Sequence, residues 1–119
     1  MTGLEHAVLG LQQALDVPRR HQTWRRLVRQ RMTGVRDALS RESAREDDGW
    51  LEARELTLRR ERDLLLQRLS ALGPHVLESP DVEVVRADLL RLVVDLEHHR
   101  QRLNDLVYDS VSLELGGSE

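Results

Sequence analysis

The sequence predicts an all-α protein, an antiparallel up-down four-helix bundle. Three observations carry this reading. Apolar residues recur at three- and four-residue spacing along most of the chain. Glycine, proline and capping residues cut that pattern into four segments with short connections, which makes consecutive helices antiparallel neighbours. No strand-like alternation interrupts the body of the chain. With 119 residues and no long linker or internal repeat, one bundle domain is expected over residues 1–110, followed by a flexible tail over 111–119.

The first helix is read over residues 3–16, with Thr2 and Glu5 as a capping box and Leu4, Val8, Leu11 and Leu15 on one face. Asp16-Val17-Pro18 ends it, and Pro18 suits the first position of a second helix over 18–46. That helix carries Trp24, Val28, Val35 and Leu39 as its stripe, with Leu27, Met32 and Ala38 alongside. Asp47-Asp48-Gly49 reads as a turn. The third helix is expected over 50–72, with Leu51, Leu58, Leu65, Leu69 and Leu72 inward and Gly73-Pro74 as its stop. His75 to Glu78 reads as a loop. Ser79-Pro80-Asp81 then starts a fourth helix over 80–110, with Ser79 as its cap. At about 1.5 Å per residue, helices two and four would be roughly 40–45 Å long and helix one about 20 Å.

Composition removes several classes of function. There is no cysteine, so disulfides, thiolate zinc sites and a catalytic thiol are excluded. Apolar runs such as Leu64-Leu65-Leu66 are far short of the roughly 20 residues a membrane helix needs. Residues 1–10 lack the basic and apolar blocks of a signal peptide, so a cytoplasmic location is expected. Charged residues make up 33% of the chain, yet the net charge is only -3, which fits a surface laced with ion pairs. Every basic residue is arginine. Lysine, isoleucine and phenylalanine are absent and Asn104 is the only asparagine, the mark of a high-GC, actinobacterial type of genome.

Function is sought where polar residues interrupt the apolar stripes. His99 takes a core position between Leu96 and Leu103. Glu55 and Arg62 fall on the line joining Leu51, Leu58, Leu65 and Leu69. Beyond Leu39 the second stripe continues into Glu42, Ser43 and Glu46. Counting outward from the turns puts Glu42, Glu46, Glu55 and His99 in one half of the bundle, with Arg62 a level or two away. Buried charges are expensive unless paired. The cluster is therefore expected to be a structural network with His99 held by a carboxylate, or else a metal or small-ligand site.

The pattern resembles the hemerythrin-like (HHE) family, four-helix bundles whose histidines and carboxylates hold a di-iron centre. Leu4-Glu5-His6-Ala7-Val8-Leu9 is similar to the family's first-helix histidine segment. Residues 39–49, Leu-Ser-Arg-Glu-Ser-Ala-Arg-Glu-Asp-Asp-Gly, resemble the second, where a histidine precedes a glutamate by four. Glu42 or Ser43 stands at that histidine and Glu46 matches the acid. Arg60-Glu61-Arg62-Asp63-Leu64-Leu65 resembles the third, with Arg62 at the histidine. Leu96-Glu97-His98-His99-Arg100 through Asp105-Leu106-Val107-Tyr108 resembles the last, with Asn104 where the family has aspartate and Asp105 one step past it. The resemblance implies the bundle and leaves His6, Glu46 and His99 from the ligand set. An arginine beside a metal pair is electrostatically hostile, so the di-iron site is expected to be lost, with no cofactor; iron or zinc is the alternative. A ferritin-type site would need two Glu-x-x-His motifs, and none is present.

Two other classes of function compete with this one. The second helix holds nine arginines against Asp37, Glu42 and Glu46, and Arg25, Arg29 and Arg36 share one flank with Arg19 and Arg26 beside it. Such a stripe could meet phosphates, but a pI near 6.0 and the lack of any nucleic-acid-binding motif argue against it. Trp50, Leu56, Leu66, Leu90, Val93 and Val107 broaden the apolar faces, which suits a protein partner or self-association. There is no phosphate loop and no serine in a nucleophile context, so no enzyme is expected. The sequence thus points to a non-enzymatic, hemerythrin-like scaffold acting through protein contacts.

Overall fold

A computed structural model describes the backbone of residues 3–17, 21–44 and 52–116, and the side chains of 3–17, 23–42 and 54–108. It contains α1 (Gly3–Asp16), α2 (His21–Ser40), a 3-10 turn (Arg41–Ala44), α3 (Glu52–Glu78) and α4 (Val82–Gly116). Among the described residues there is no strand. The helices pack in a ring, each on the next and α4 back on α1. Cross-contacts fix their directions. Leu15 of α1 meets Arg86 of α4 while Glu5 meets Arg100, so α1 and α4 run antiparallel. No described helix is long and apolar enough to cross a membrane.

The expected stripes are the ones that bury. Leu4, Val8, Leu11 and Leu15 of α1 and Trp24, Val28, Met32, Val35 and Leu39 of α2 form the core with Leu65, Leu69, Val76, Leu89, Leu92 and Leu96. Each set repeats at three or four residues, so each keeps one face inward for several turns. Thr2, Asp47, Asp48, Gly49, Trp50 and Leu51 lie outside the described residues, so the first cap and the second turn are not observed. The Glu5 carboxylate accepts from Arg100 Nη1 at 2.8 Å.

Helix lengths depart from the sequence reading. The α-helical part of α2 is 20 residues, about 30 Å, and then tightens into the 3-10 turn. Gly73-Pro74 does not stop α3, which runs through Pro74 to Glu78 and absorbs the expected loop. Proline denies Ser70 its usual N–H partner. The helix nevertheless continues because Val76, two residues further, is fully buried and its carbonyl accepts from Arg25 Nη1 at 3.0 Å. Gly73 is also used: a Cβ there would sit 3.1 Å from Arg29 Nε, so the missing side chain makes room for that guanidinium.

The start of α4 also shifts. Asp81, not Ser79, caps it, accepting from the N–H groups of Glu83 at 3.1 Å and Val84 at 3.3 Å. Ser79 Oγ accepts from the Asp81 N–H at 3.3 Å and holds the cap in place. At the other end α4 reaches Gly116, so most of the expected tail is helical. Its 35 residues span about 52 Å, close to the 59 Å long axis of the molecule.

These lengths divide the bundle. Its upper half contains all four helices. Among the described residues, the end of α2, the start of α3 and the second half of α4 are what remain below Glu5. A small apolar group of Leu58 and Leu106 lies there, joined by Leu103, which also touches the main core.

Restoring the lost hydrogen bond in α3 should stabilise the protein. Pro74→Ala is expected to add about 1–3 kcal/mol, read from the urea midpoint at unchanged m-value. A loss of stability would show that the proline is needed for the packing of Val76.

Candidate functional site

The site is the core layer that His99 occupies. On α4, Leu92, Leu96, His99, Leu103 and Leu106 alternate at steps of four and three, so His99 is carried into the centre by the same periodicity as its leucine neighbours. It is fully buried and is the only buried polar or charged side chain among the described residues. Three residues past the buried Leu39, Glu42 enters from the 3-10 turn. Four residues before the buried Leu65, Glu61 enters from α3.

His99 Nε2 lies 2.9 Å from Glu42 Oε2 and Nδ1 lies 2.6 Å from Glu61 Oε1. Ionised carboxylates only accept hydrogen bonds, so satisfying both contacts takes the imidazolium form of His99, with both ring nitrogens donating. Burial by itself disfavours the charged ring. Hydrogen bonding and attraction from Glu42, and then from Glu61, outweigh it, so the pKa is raised above 6.5. Arg102 closes the cluster from outside: its Nη2 donates to Glu61 Oε2 at 2.6 Å and its Nε to Oε1 at 3.2 Å. The chain Glu42–His99–Glu61–Arg102 joins the 3-10 turn, α3 and α4.

Below this layer is a small hollow of about 40 Å³, lined by Glu42, Glu55, Leu58, Arg59, Arg62, Leu103 and Leu106. It has room for about one water molecule. Glu42 Oε1 and Glu55 Oε2 are buried without a hydrogen-bond partner. Arg59 Nη2 approaches Glu55 Oε2 only to 3.8 Å.

The sequence-derived candidates are therefore only partly assembled. His99 and Glu42 meet directly. Glu55 lies one layer below them and does not touch His99. Arg62 lines the same hollow but turns its guanidinium to Asp63, at 3.3 and 3.4 Å. Glu46 lies outside the described residues. His6 is exposed, on a face away from the cluster. Among the described residues no group of three His, Asp or Glu is arranged to hold a metal ion.

Glu61 and Arg102 were missed. Glu61 lies three residues from Leu58 and four from Leu65, the spacing that carries His99 between Leu96 and Leu103. Following the seven-residue line from Glu55 selected its neighbour Arg62 instead. Both positions flank the seam, and helix rotation decides which reaches inward.

Two of the anion-binding candidates are committed elsewhere. Arg25 donates to the Val76 carbonyl, and Arg29 lies against Gly73 and donates to Thr33 Oγ1 at 3.2 Å. Arg36 pairs with its neighbour Asp37 at 3.4 Å, Arg26 is exposed, and Arg19 lies outside the described residues.

Fold and site together define an all-α bundle with an internal histidine–carboxylate ion cluster. No protein-family model, curated protein or solved structure gives a significant match to the chain.

Glu61 should be the most costly member to remove. Glu61→Ala strips a partner from both His99 and Arg102 and is expected to cost about 3 kcal/mol, against a smaller loss for Arg102→Ala, whose side chain is half exposed. His99→Leu should cost less than Glu61→Ala, because leucine fits the apolar seam and both glutamates have a path to solvent. Equal losses in chemical denaturation would contradict this order.

The cluster also sets a pH dependence. His99 is raised on folding, so its contribution is complete below about pH 6.5 and is lost as pH rises through its higher folded value. Melting temperature should fall over that interval in the wild type. His99→Leu should remove this component of the slope.

Proposed function

We propose that the chain is a non-enzymatic, cytoplasmic helical scaffold that acts through protein–protein contacts, on a hemerythrin-like frame whose di-iron site has been lost to an ion cluster. The observation that carries this reading is the saturation of His99. A histidine binds metal through a neutral ring with a free lone pair. Here both nitrogens face carboxylates at hydrogen-bond distance, and a guanidinium holds one of those carboxylates from behind. Arg62, at the place where the resemblance puts a third-helix histidine, adds another fixed positive charge to the same half of the bundle.

Contact with other proteins is supported by large apolar side chains left at the surface. Leu64 is 60% and Tyr108 71% exposed, with Leu56 and Val94 also exposed. Of the residues expected to broaden the apolar faces, Val93 is buried, Leu66 and Leu90 pack on the core, and Trp50 lies outside the described residues. Val107 is half-buried. The exposed set is thus separate from the core.

One observation favours a second reading, cation or small-ligand binding: two buried carboxylate oxygens without a hydrogen bond, Glu42 Oε1 and Glu55 Oε2, belong to residues that border the same hollow. Titrating ferrous iron and zinc into the purified chain separates the two. The scaffold reading expects no stoichiometric metal and no rise in melting temperature. A rise that Glu55→Gln abolishes would move the assignment to the hollow. Sedimentation velocity should show self-association or a complex. A strict monomer at every accessible concentration would remove self-association from the proposal.

A further inference from the structure

We infer that the Glu42–His99–Glu61 clamp is a proton-operated latch: one proton on His99 holds the 3-10 turn Arg41–Ala44 against α3 and α4, and its loss frees that turn and opens the apolar hollow beneath it.

The argument begins with hydrogen-bond stoichiometry. An imidazolium has two N–H donors and meets two carboxylates, at 2.6 and 2.9 Å. A neutral imidazole has one donor, and its other nitrogen presents a lone pair. Facing an ionised carboxylate, that lone pair repels it. Deprotonation therefore breaks one of the two contacts.

The surroundings decide which one breaks. Charged groups approach from each neighbouring element. From α3 comes Glu61, with Arg62 and Glu55 further down. From the 3-10 turn comes Glu42. On α4 itself Arg102 grips Glu61 through two hydrogen bonds and Arg100 is engaged with Glu97. From α1, Glu5 is taken by Arg100, and His6 is exposed. Glu61 is thus anchored independently of His99. Glu42 is not: Oε2 has its contact to His99, and Oε1 is buried without a partner. Glu42 is the partner that leaves.

Its departure has a structural effect because of where it sits. It belongs to a four-residue 3-10 turn, a form with poorer hydrogen-bond geometry than the α-helix it extends. Its side chain is a wall of the hollow, together with Leu58, Leu103 and Leu106. When Glu42 turns to solvent, that wall opens and Leu58 and Leu106, both buried in the closed state, become reachable. The latch thus couples proton loss to exposure of an apolar surface in the half of the bundle that α1 does not cover. It requires no partner, so its test is independent of the scaffold proposal.

Amide hydrogen exchange on the ¹⁵N-labelled full chain, with His99 ring nitrogens followed in parallel, reads the latch directly. Protection factors, corrected for intrinsic exchange, are expected to fall about tenfold per pH unit in residues 41–44 above pH 6.5, and to level off once His99 has lost its proton. Protection between Trp24 and Val35 should stay above that of residues 41–44 at every pH and fall only as far as global stability falls. His99→Gln and Glu42→Gln should each flatten the response, since a carboxamide does not change protonation. The proposal is overturned if residues 41–44 are unprotected at acidic pH, if their protection ignores the titration of His99, or if they never exchange ahead of the segment Trp24 to Val35.

Discussion

Two ionised carboxylates cannot both be satisfied by a neutral imidazole, and much of the lower bundle depends on that constraint. A leucine at position 99 would continue the seam. A histidine there requires partners, and those that reach it come from two other elements. The result is a layer in which one proton contributes to the attachment of α2's last turn to the α3–α4 pair. Above the layer lies the main apolar core, while below it Leu58 and Leu106 are the buried apolar side chains among the described residues, with Leu103 spanning the two groups. The charge layer marks the height at which a fourth helix stops contributing. It supplies specificity where hydrophobic burial thins out, at the expense of a buried charge that only good geometry can offset.

Arginine carries a second part of the architecture. The end of α1 has no glycine cap; Arg86 of α4 donates to the Leu15 carbonyl at 3.2 Å and approaches Asp16 at 3.6 Å. The last turns of α3 are served in the same way by Arg25 from α2. In both cases a cation from a neighbouring helix meets the negative end of a helix dipole and donates to a carbonyl of its last turn. Local capping is thus replaced by a tertiary contact, and helix termination becomes linked to helix packing. The same use draws Arg25 and Arg29 away from the basic stripe that the sequence presents.

The four helices and their inward faces were legible because local periodicity determines them: a residue that repeats every three or four positions must face one way. The burial of Leu4, Val8, Leu11 and Leu15 in α1 and of the stripe from Trp24 to Leu39 in α2 follows from it. What failed was punctuation. Gly73-Pro74 reads as a stop, yet Val76 and Arg25 keep the chain helical beyond it, and both act through contacts remote in sequence. Ser79 and Asp81 are both competent caps, and only the register of α4 chooses between them. The site was half legible for a related reason. His99 and Glu42 lie on unambiguous seams. Glu61 and Arg62 straddle one, and the rotation of α3 that separates them is set by its neighbours.

The unbroken α4 imposes one more condition. It passes through both halves of the molecule, as does α3, so the two zones share a common rotational phase. Adding one residue to α4 between Leu96 and Leu103 would turn everything beyond it by about 100° and advance it by about 1.5 Å. His99 or Leu106 would then face away from its layer, whichever side of the insertion it fell on. Two full turns need slightly more than seven residues, so a seven-residue change leaves a residual rotation of only about 20°. Length variation that preserves this bundle is therefore restricted to near-heptad steps, made in α3 and α4 together so that the pairing of Glu61 with Arg102 survives.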